Sequence, residues 1–211
     1  MTTGDDLRAA LDTTPIVGIV RGCPFDHIVA VGSAVVEAGF TVIEVTYDSP
    51  RATDAIAALC ANLPGVMVGA GTVRTPREVD TVVGAGASFI VSPILSVAVI
   101  ETAAGHGVPS IPGASTPTEV WQALEAGASA VKVFPARELG GPPYLRAIRG
   151  PLGDPPLVPT GGVGAAEARD YLDAGALALG VGASVFTPEA LAAGDAARVG
   201  SLAAEVVRSL T

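Results

Sequence analysis

The chain has 211 residues, 49% hydrophobic but only 4% aromatic, with 21 acidic residues against 12 basic ones and a net charge of −9. That balance opposes a nucleic-acid partner, which needs a basic face, and the polar, acidic start from Met1 to Ala10 lacks the apolar core of a signal peptide, so a cytoplasmic protein is expected. The most apolar stretch, Ser88 to Ile100, is broken by Pro93 and falls short of the roughly 20 residues a membrane span needs, while a chain this long buries about 70% of its surface without staples.

In chain order the sequence predicts a short N-terminal helix and then eight apolar runs: Ile16 to Val20, Thr41 to Thr46, Val66 to Gly69, Ser88 to Val91, Val108 to Ile111, Ser129 to Val133, Leu157 to Pro159 and Ala176 to Gly180. These runs are continuously apolar, as strands buried on both faces of a parallel sheet are, and an Ala-rich segment of helical length follows nearly every one. Thr75-Pro76, Thr116-Pro117 and Thr187-Pro188 mark helix starts, a capping hydroxyl preceding proline at the first helical position. Glycine recurs between helix and strand in Ala38-Gly39-Phe40, Ala85-Gly86-Ala87, Gly105-His106-Gly107, Ala126-Gly127-Ala128 and Ala174-Gly175-Ala176, as helix C-termini demand.

Eight βα units fit a (β/α)8 TIM barrel, usually about 250 residues with a floor near 200. The Pro- and Gly-rich segment Pro142 to Pro159 is expected to be a loop before the seventh strand, and no linker divides the single domain expected over residues 1–211. Cys23 and Cys60 have no ligand or disulfide spacing and are expected to be packing cysteines of a reduced protein. His27 and His106 lack companions at metal spacing, so no metal is expected.

Lys132 is the only lysine, since the other eleven basic residues are arginine, and it lies in the otherwise apolar run Ala130-Val131-Lys132-Val133-Phe134-Pro135. Burial there disfavours the ammonium and leaves a neutral amine able to attack a carbonyl; the alternative, a lysine that snorkels or pairs with a carboxylate, does not explain why arginine replaces lysine everywhere else. Glu44 is a second anomaly, in Thr41-Val42-Ile43-Glu44-Val45-Thr46, with Val42 and Thr46 on its face of the strand. Both fall in the later half of their strands, where barrels gather catalytic groups, and a desolvated glutamate suits proton transfer near neutral pH or a structural pairing with Lys132 or an arginine. Two Gly-rich turns, Pro159-Thr160-Gly161-Gly162-Val163-Gly164 and Gly180-Val181-Gly182-Ala183-Ser184, end the last two strands, where phosphate is commonly held. Thr72 follows the third strand, and Arg21, just after the first, is able to hold a carboxylate.

Together Ile43-Glu44-Val45-Thr46, Gly69-Ala70-Gly71-Thr72-Val73, Val91-Ser92-Pro93, Lys132-Val133-Phe134-Pro135-Ala136, Pro159-Thr160-Gly161-Gly162 and Val181-Gly182-Ala183-Ser184 resemble the class I 2-keto-3-deoxy-6-phosphogluconate (KDPG) / 4-hydroxy-2-oxoglutarate (KHG) aldolases, over about Pro15 to Phe186. The resemblance implies that Lys132 forms a Schiff base, that Glu44 is the general acid/base, and that Thr72, Pro93 and Phe134 line the pyruvyl pocket. It implies that Thr160, Gly161, Gly162, Gly182 and Ser184 hold the phosphate end, with Arg21 near the keto-acid carboxylate. It further implies a keto-acid phosphosugar substrate, no cofactor beyond the covalent lysine imine, and a homotrimer. The sequence departs from the family at Asp48, whose charge is expected to repel a substrate carboxylate. KDPG cleavage is the leading expectation; KHG or the galactonate epimer with the same lysine is the alternative, and a phosphosugar-binding barrel without turnover is the non-enzymatic one.

Overall fold

The computed structural model describes residues 3–210 and begins with helix α1 (Gly4–Thr13), followed by β1 (Ile16–Val20), α2 (Ile28–Glu37), β2 (Val42–Thr46), α3 (Ala52–Asn62), β3 (Met67–Gly71), α4 (Pro76–Gly84), β4 (Ile90–Val91) and α5 (Val97–Gly105). The chain continues through β5 (Ser110–Ile111), β6 (Gly113–Ala114), α6 (Pro117–Glu125), β7 (Val131–Val133), α7 (Pro142–Leu152), β8 (Leu157–Pro159), α8 (Ala168–Asp173), β9 (Leu179–Val181), α9 (Pro188–Ala193) and α10 (Ala196–Arg208).

Six strands pair in the order β5-β4-β3-β2-β1-β9, all parallel, in a sheet curled as a half-barrel, and β6-β7-β8 form a second parallel sheet. The expected fifth strand, Val108 to Ile111, is shortened to β5, and β6 is a second short strand beyond its end. Pro112 separates them, and a proline has no N–H to give the ladder, although its carbonyl still accepts from the Lys132 N–H at 2.9 Å. At the other end of the second sheet, Thr160 bridges to Gly180 in parallel.

The three Thr-Pro starts are N-caps: Thr75, Thr116 and Thr187 accept from the N–H groups of Glu78, Glu119 and Ala190. Gly39, Gly86, Gly107, Gly127 and Gly175 all take positive φ where a helix turns back toward a strand, a conformation other residues adopt only with strain. The expected Pro142–Pro159 loop is instead largely the eleven-residue helix α7. Pro142 and Pro143 occupy its first turn, where no N–H is needed, and Leu145 and Ile148 bury one face. Strand ends shift as well, most of all in β9, whose apolar lead-in from Ala176 to Ala178 precedes the ladder. Cys23 packs as expected, but Cys60 is exposed on α3.

Strand parity sorts the interior into two apolar clusters. Ile43, Val45, Val131, Val133 and Leu157 face the helices, whereas Val17, Val42, Val91, Ile111 and Val158 point inward onto Leu7 and Leu11 of α1. Glu44 and Lys132 share the inward parity of Val42 and Val158, so each strand places one ionisable group where its neighbours place aliphatic ones. Among the described residues no helix is long and apolar enough to cross a membrane.

Candidate active site

Glu44 lies in a strand buried along its whole length, opposite Ile19 of β1 and Gly69 of β3, and is 1% exposed. Lys132 lies in β7 between Gly113 of β6 and Val158 of β8 and is 8% exposed. Both line a narrow internal cleft of about 10 Å³, with Thr160 and Gly180 also in its wall, near the lower limit for one water. Neither carboxylate oxygen of Glu44 finds a hydrogen-bond partner among the described residues. Its carboxyl packs so closely on Gly71 that a Cβ there would overlap it.

Burial sets the protonation of both groups. Desolvation pushes Glu44 above the usual carboxylate range, partly opposed by the positive charges of Lys132 and Arg21. Desolvation likewise draws Lys132 below the usual lysine range, with Glu44 pulling it back up and Arg21 pressing it further down. A dry site therefore holds an amine poised to lose its proton beside a carboxyl poised to keep one.

Above the cleft opens a cavity of about 760 Å³, and Lys132 lines both. Its wall includes Arg21, Thr72, Pro93, Phe134, Thr160, Gly161, Gly162, Gly182 and Ser184, so the structure brings together with Lys132 every residue expected to bind substrate, with Glu44 beneath in the cleft. The Phe134 ring lies 5.2 Å from Lys132 Nζ, and Gly161 sits close enough that a Cβ would touch the ring. Ser184 Oγ donates to the Val163 carbonyl at 2.8 Å and so ties the two Gly-rich loops together. Gly161 and Gly162 both have positive φ, which turns the chain tightly along the cavity wall.

At the other side, Arg21 donates through Nη2 to Thr72 Oγ1 at 2.9 Å, and through Nη1 it pairs with the carboxylate of Asp48. Thr72 holds this position in left-handed backbone, φ 59°. The Asp48 charge is thus compensated by Arg21 and does not line the cavity, so the repulsion expected from the sequence is offset locally. Ser49 accepts from the Gly22 N–H and shares a hydrogen bond with Thr46, which fixes the turn beside this pair.

Sequence reasoning missed Arg137, which also lines the cavity and donates to the Gly162 carbonyl at 2.7 Å. Its only signal was its place immediately after the Lys132-Val133-Phe134-Pro135-Ala136 motif. Among the described residues no group of three His, Cys, Asp or Glu side chains is arranged to hold a metal, and His106 instead contacts Asp80 at 2.7 Å.

A sole buried lysine, a buried unpartnered carboxyl and glycine-lined loops across one cavity make a site for imine chemistry on a small carbonyl compound carrying an anionic end. Residues 7–202 match the family model described as KDPG and KHG aldolase. The chain is 39% identical over 201 residues to the KHG/KDPG aldolase of Escherichia coli K12, covering 95% of this chain and 94% of that one. It is 36% identical over 174 residues to the 2-dehydro-3-deoxy-6-phosphogalactonate aldolase of the same organism, covering 82% and 84%. The crystal structure of the KDPG aldolase from Legionella pneumophila, with pyruvate captured as a covalent carbinolamine, superposes with a TM-score of 0.89 at 29% identity over 98% of both chains. With a matching family model along nearly its whole length and relatives well above 30% identity, the chain belongs to the KDPG and KHG aldolase family.

Proposed function

We propose that this protein is a class I aldolase that cleaves 2-keto-3-deoxy-6-phosphogluconate to pyruvate and glyceraldehyde 3-phosphate. The observation that carries the reading is Lys132, the only lysine, desolvated at the floor of a cavity beside the unpartnered carboxyl of Glu44. Neutral Nζ adds its lone pair to the C2 ketone, one amine proton passing to the oxygen; the Glu44 carboxyl then gives its proton to the carbinolamine hydroxyl, which leaves as water, so that the iminium stands beside a Glu44 carboxylate. Glu44, directly or through one water, takes the C4 hydroxyl proton; the C3–C4 electrons flow into the iminium and the aldehyde leaves. The same proton returns to C3 of the enamine, and water hydrolyses the imine to release pyruvate and free Lys132. The lysine imine is the electron sink, so the reading calls for no metal or organic cofactor.

Thr72, Pro93 and Phe134 enclose the pyruvyl part in this reading, with Arg21 at the carboxylate. Thr160, Gly161, Gly162, Gly182 and Ser184 hold the phosphate, whose remote binding energy orients the reacting bond. The family names span KHG and the galactonate epimer, and in this reading Lys132 and Glu44 serve either substrate. The reading includes one domain over residues 1–211, the two sheets joined through Pro112 and the Thr160–Gly180 bridge as one closed (β/α)8 barrel. A cytoplasmic homotrimer is also part of it, resting on the composition and on the family.

Incubation with pyruvate, reduction with borohydride and peptide mass spectrometry tests the chemistry, the N-terminal amine being the sole competing primary amine. A reduced pyruvyl adduct on Lys132 is expected. Its absence from folded protein would overturn the aldolase and leave a phosphosugar-binding protein without turnover.

A further inference from the structure

Arg137 stands three residues beyond the C-terminal end of β7's neighbour in sequence, Phe134, in the turn that leads away from the Lys132 strand. Its backbone N–H donates to Gly161 at 3.1 Å, and its side chain lies flat over Gly162, where a Cβ would collide with Cβ and Cδ of the arginine at 2.7 and 2.8 Å. Gly162 is therefore glycine on two counts, its φ of 68° and the guanidinium stem laid across it. The Arg137 side chain is 60% exposed and lines the cavity alongside the loop assigned above to the phosphate.

Its ionic contact is a weak one. Nη2 donates to the Gly162 carbonyl and reaches the Glu167 carboxylate at 3.4 Å, with Glu167 itself 39% exposed. An ion pair this exposed is screened by salt and contributes little to stability. Both contacts run through Nη2, so among the described residues Nε and Nη1 have no hydrogen-bond partner, and a guanidinium fork matches two oxygens of a phosphate. The other cations on the cavity stand elsewhere: Arg21 pairs with Thr72 and Asp48 at the side assigned to the keto-acid carboxylate, and Lys132 lies at the floor, where burial favours its neutral form.

Resting on the aldolase reading, we propose that Arg137 is a specificity-determining residue that grips the substrate's terminal phosphate dianion, giving up Glu167 to do so. The site is thereby tuned to phosphorylated 2-keto acids. 4-Hydroxy-2-oxoglutarate ends in a carboxylate directly on C4, one carbon and an ester oxygen short of where the phosphorus of a 6-phospho sugar acid sits, and does not draw on Arg137.

The test compares kcat and KM of the whole protein and of Arg137→Gln, Arg137→Lys and Glu167→Gln on KDPG and on 4-hydroxy-2-oxoglutarate, together with titration by inorganic phosphate. For a charged hydrogen bond at an open site, Arg137→Gln is expected to lower kcat/KM on KDPG about tenfold, carried by KM, and to change that on 4-hydroxy-2-oxoglutarate by less than about twofold. Phosphate affinity falls by a similar factor, Arg137→Lys restores part of it, and Glu167→Gln raises it. Equal losses on both substrates, or no loss of phosphate affinity in Arg137→Gln, would overturn the proposal. Borohydride trapping of pyruvate on Lys132 in Arg137→Gln separates the two ideas: an adduct there shows an intact fold and working chemistry. If the unaltered protein traps no pyruvate, the aldolase reading fails, and the phosphate titration alone still decides the role of Arg137.

Discussion

Exchanging the two buried ionisable groups for aliphatic ones, Glu44→Leu together with Lys132→Met, should abolish turnover and stabilise the fold. In the structure both groups are over nine-tenths buried, both Glu44 oxygens lack partners, and only about 10 Å³ is left between the side chains, so leucine and methionine of similar volume fill the space without opening a void. Replacing buried ionic groups by packed apolar ones gains about 1–4 kcal/mol. Because burial already favours the neutral form of each group, the lower half of that range applies, about 2 kcal/mol. In a domain of this size each kcal/mol moves Tm by roughly 2–4 °C, which gives a rise of about 4–8 °C. Thermal unfolding followed by circular dichroism, beside a coupled assay for pyruvate release, measures both quantities. A double variant that melts below its parent would refute the reasoning, since it would mean that the two groups stabilise one another more than their desolvation costs.

The pH dependence of adduct formation follows from the same burial. Neutral Lys132 is required, so the rate of pyruvate trapping should rise with pH through a midpoint below the ordinary lysine value of 10.5, and Glu44→Gln should move that midpoint lower still by removing the charge that favours the ammonium. Between the folded and the ordinary Lys132 values the unfolded chain binds more protons, so this group's contribution to stability rises with pH; Glu44, which keeps its proton when folded, contributes stability that falls as pH climbs from 4.5 toward its raised value. A midpoint at or above 10.5 would contradict a desolvated amine. Gly71→Ala forces a Cβ onto the Glu44 carboxyl and should cut kcat by about tenfold or more through misplacement of the proton-transfer group, while the Lys132 adduct still forms. Unchanged kcat in that variant would show that the carboxyl position is not critical.

Much of the site was legible because two residues break the rule for their strands. A lysine and a glutamate inside apolar runs stand out against any reading of a parallel sheet, and strand parity then faces both inward with Val42 and Val158. The Thr-Pro caps and the glycines before each strand were legible for a local reason: their conformations depend on neighbours within four residues. What escaped depends on distant partners. The Arg21–Asp48 pair joins loops after different strands, so the charge of Asp48 looked unopposed in the sequence. Arg137 looked like any polar loop residue, because its contacts with Gly162 and Glu167 lie 25 and 30 positions away. Helix α7 was hidden by its own prolines, two of which suit a helix's first turn as well as they suit a loop.

Helix α1 acquires a role from where it packs. Leu7 and Leu11 seal the inward cluster of Val17, Val42, Val91, Ile111 and Val158, and Thr41 Oγ1 fastens the helix by donating to the Ala10 carbonyl at 2.9 Å. Several of those aliphatic residues, Val17, Val91, Ile111 and Val158, also wall the cleft that holds Glu44 and Lys132. The helix is thus a stopper beneath Glu44 and Lys132, and the low dielectric that tunes them is maintained from below by ten residues that line neither the cavity nor the cleft. Insulation, in this molecule, is contributed by a segment whose sequence carries no chemistry at all.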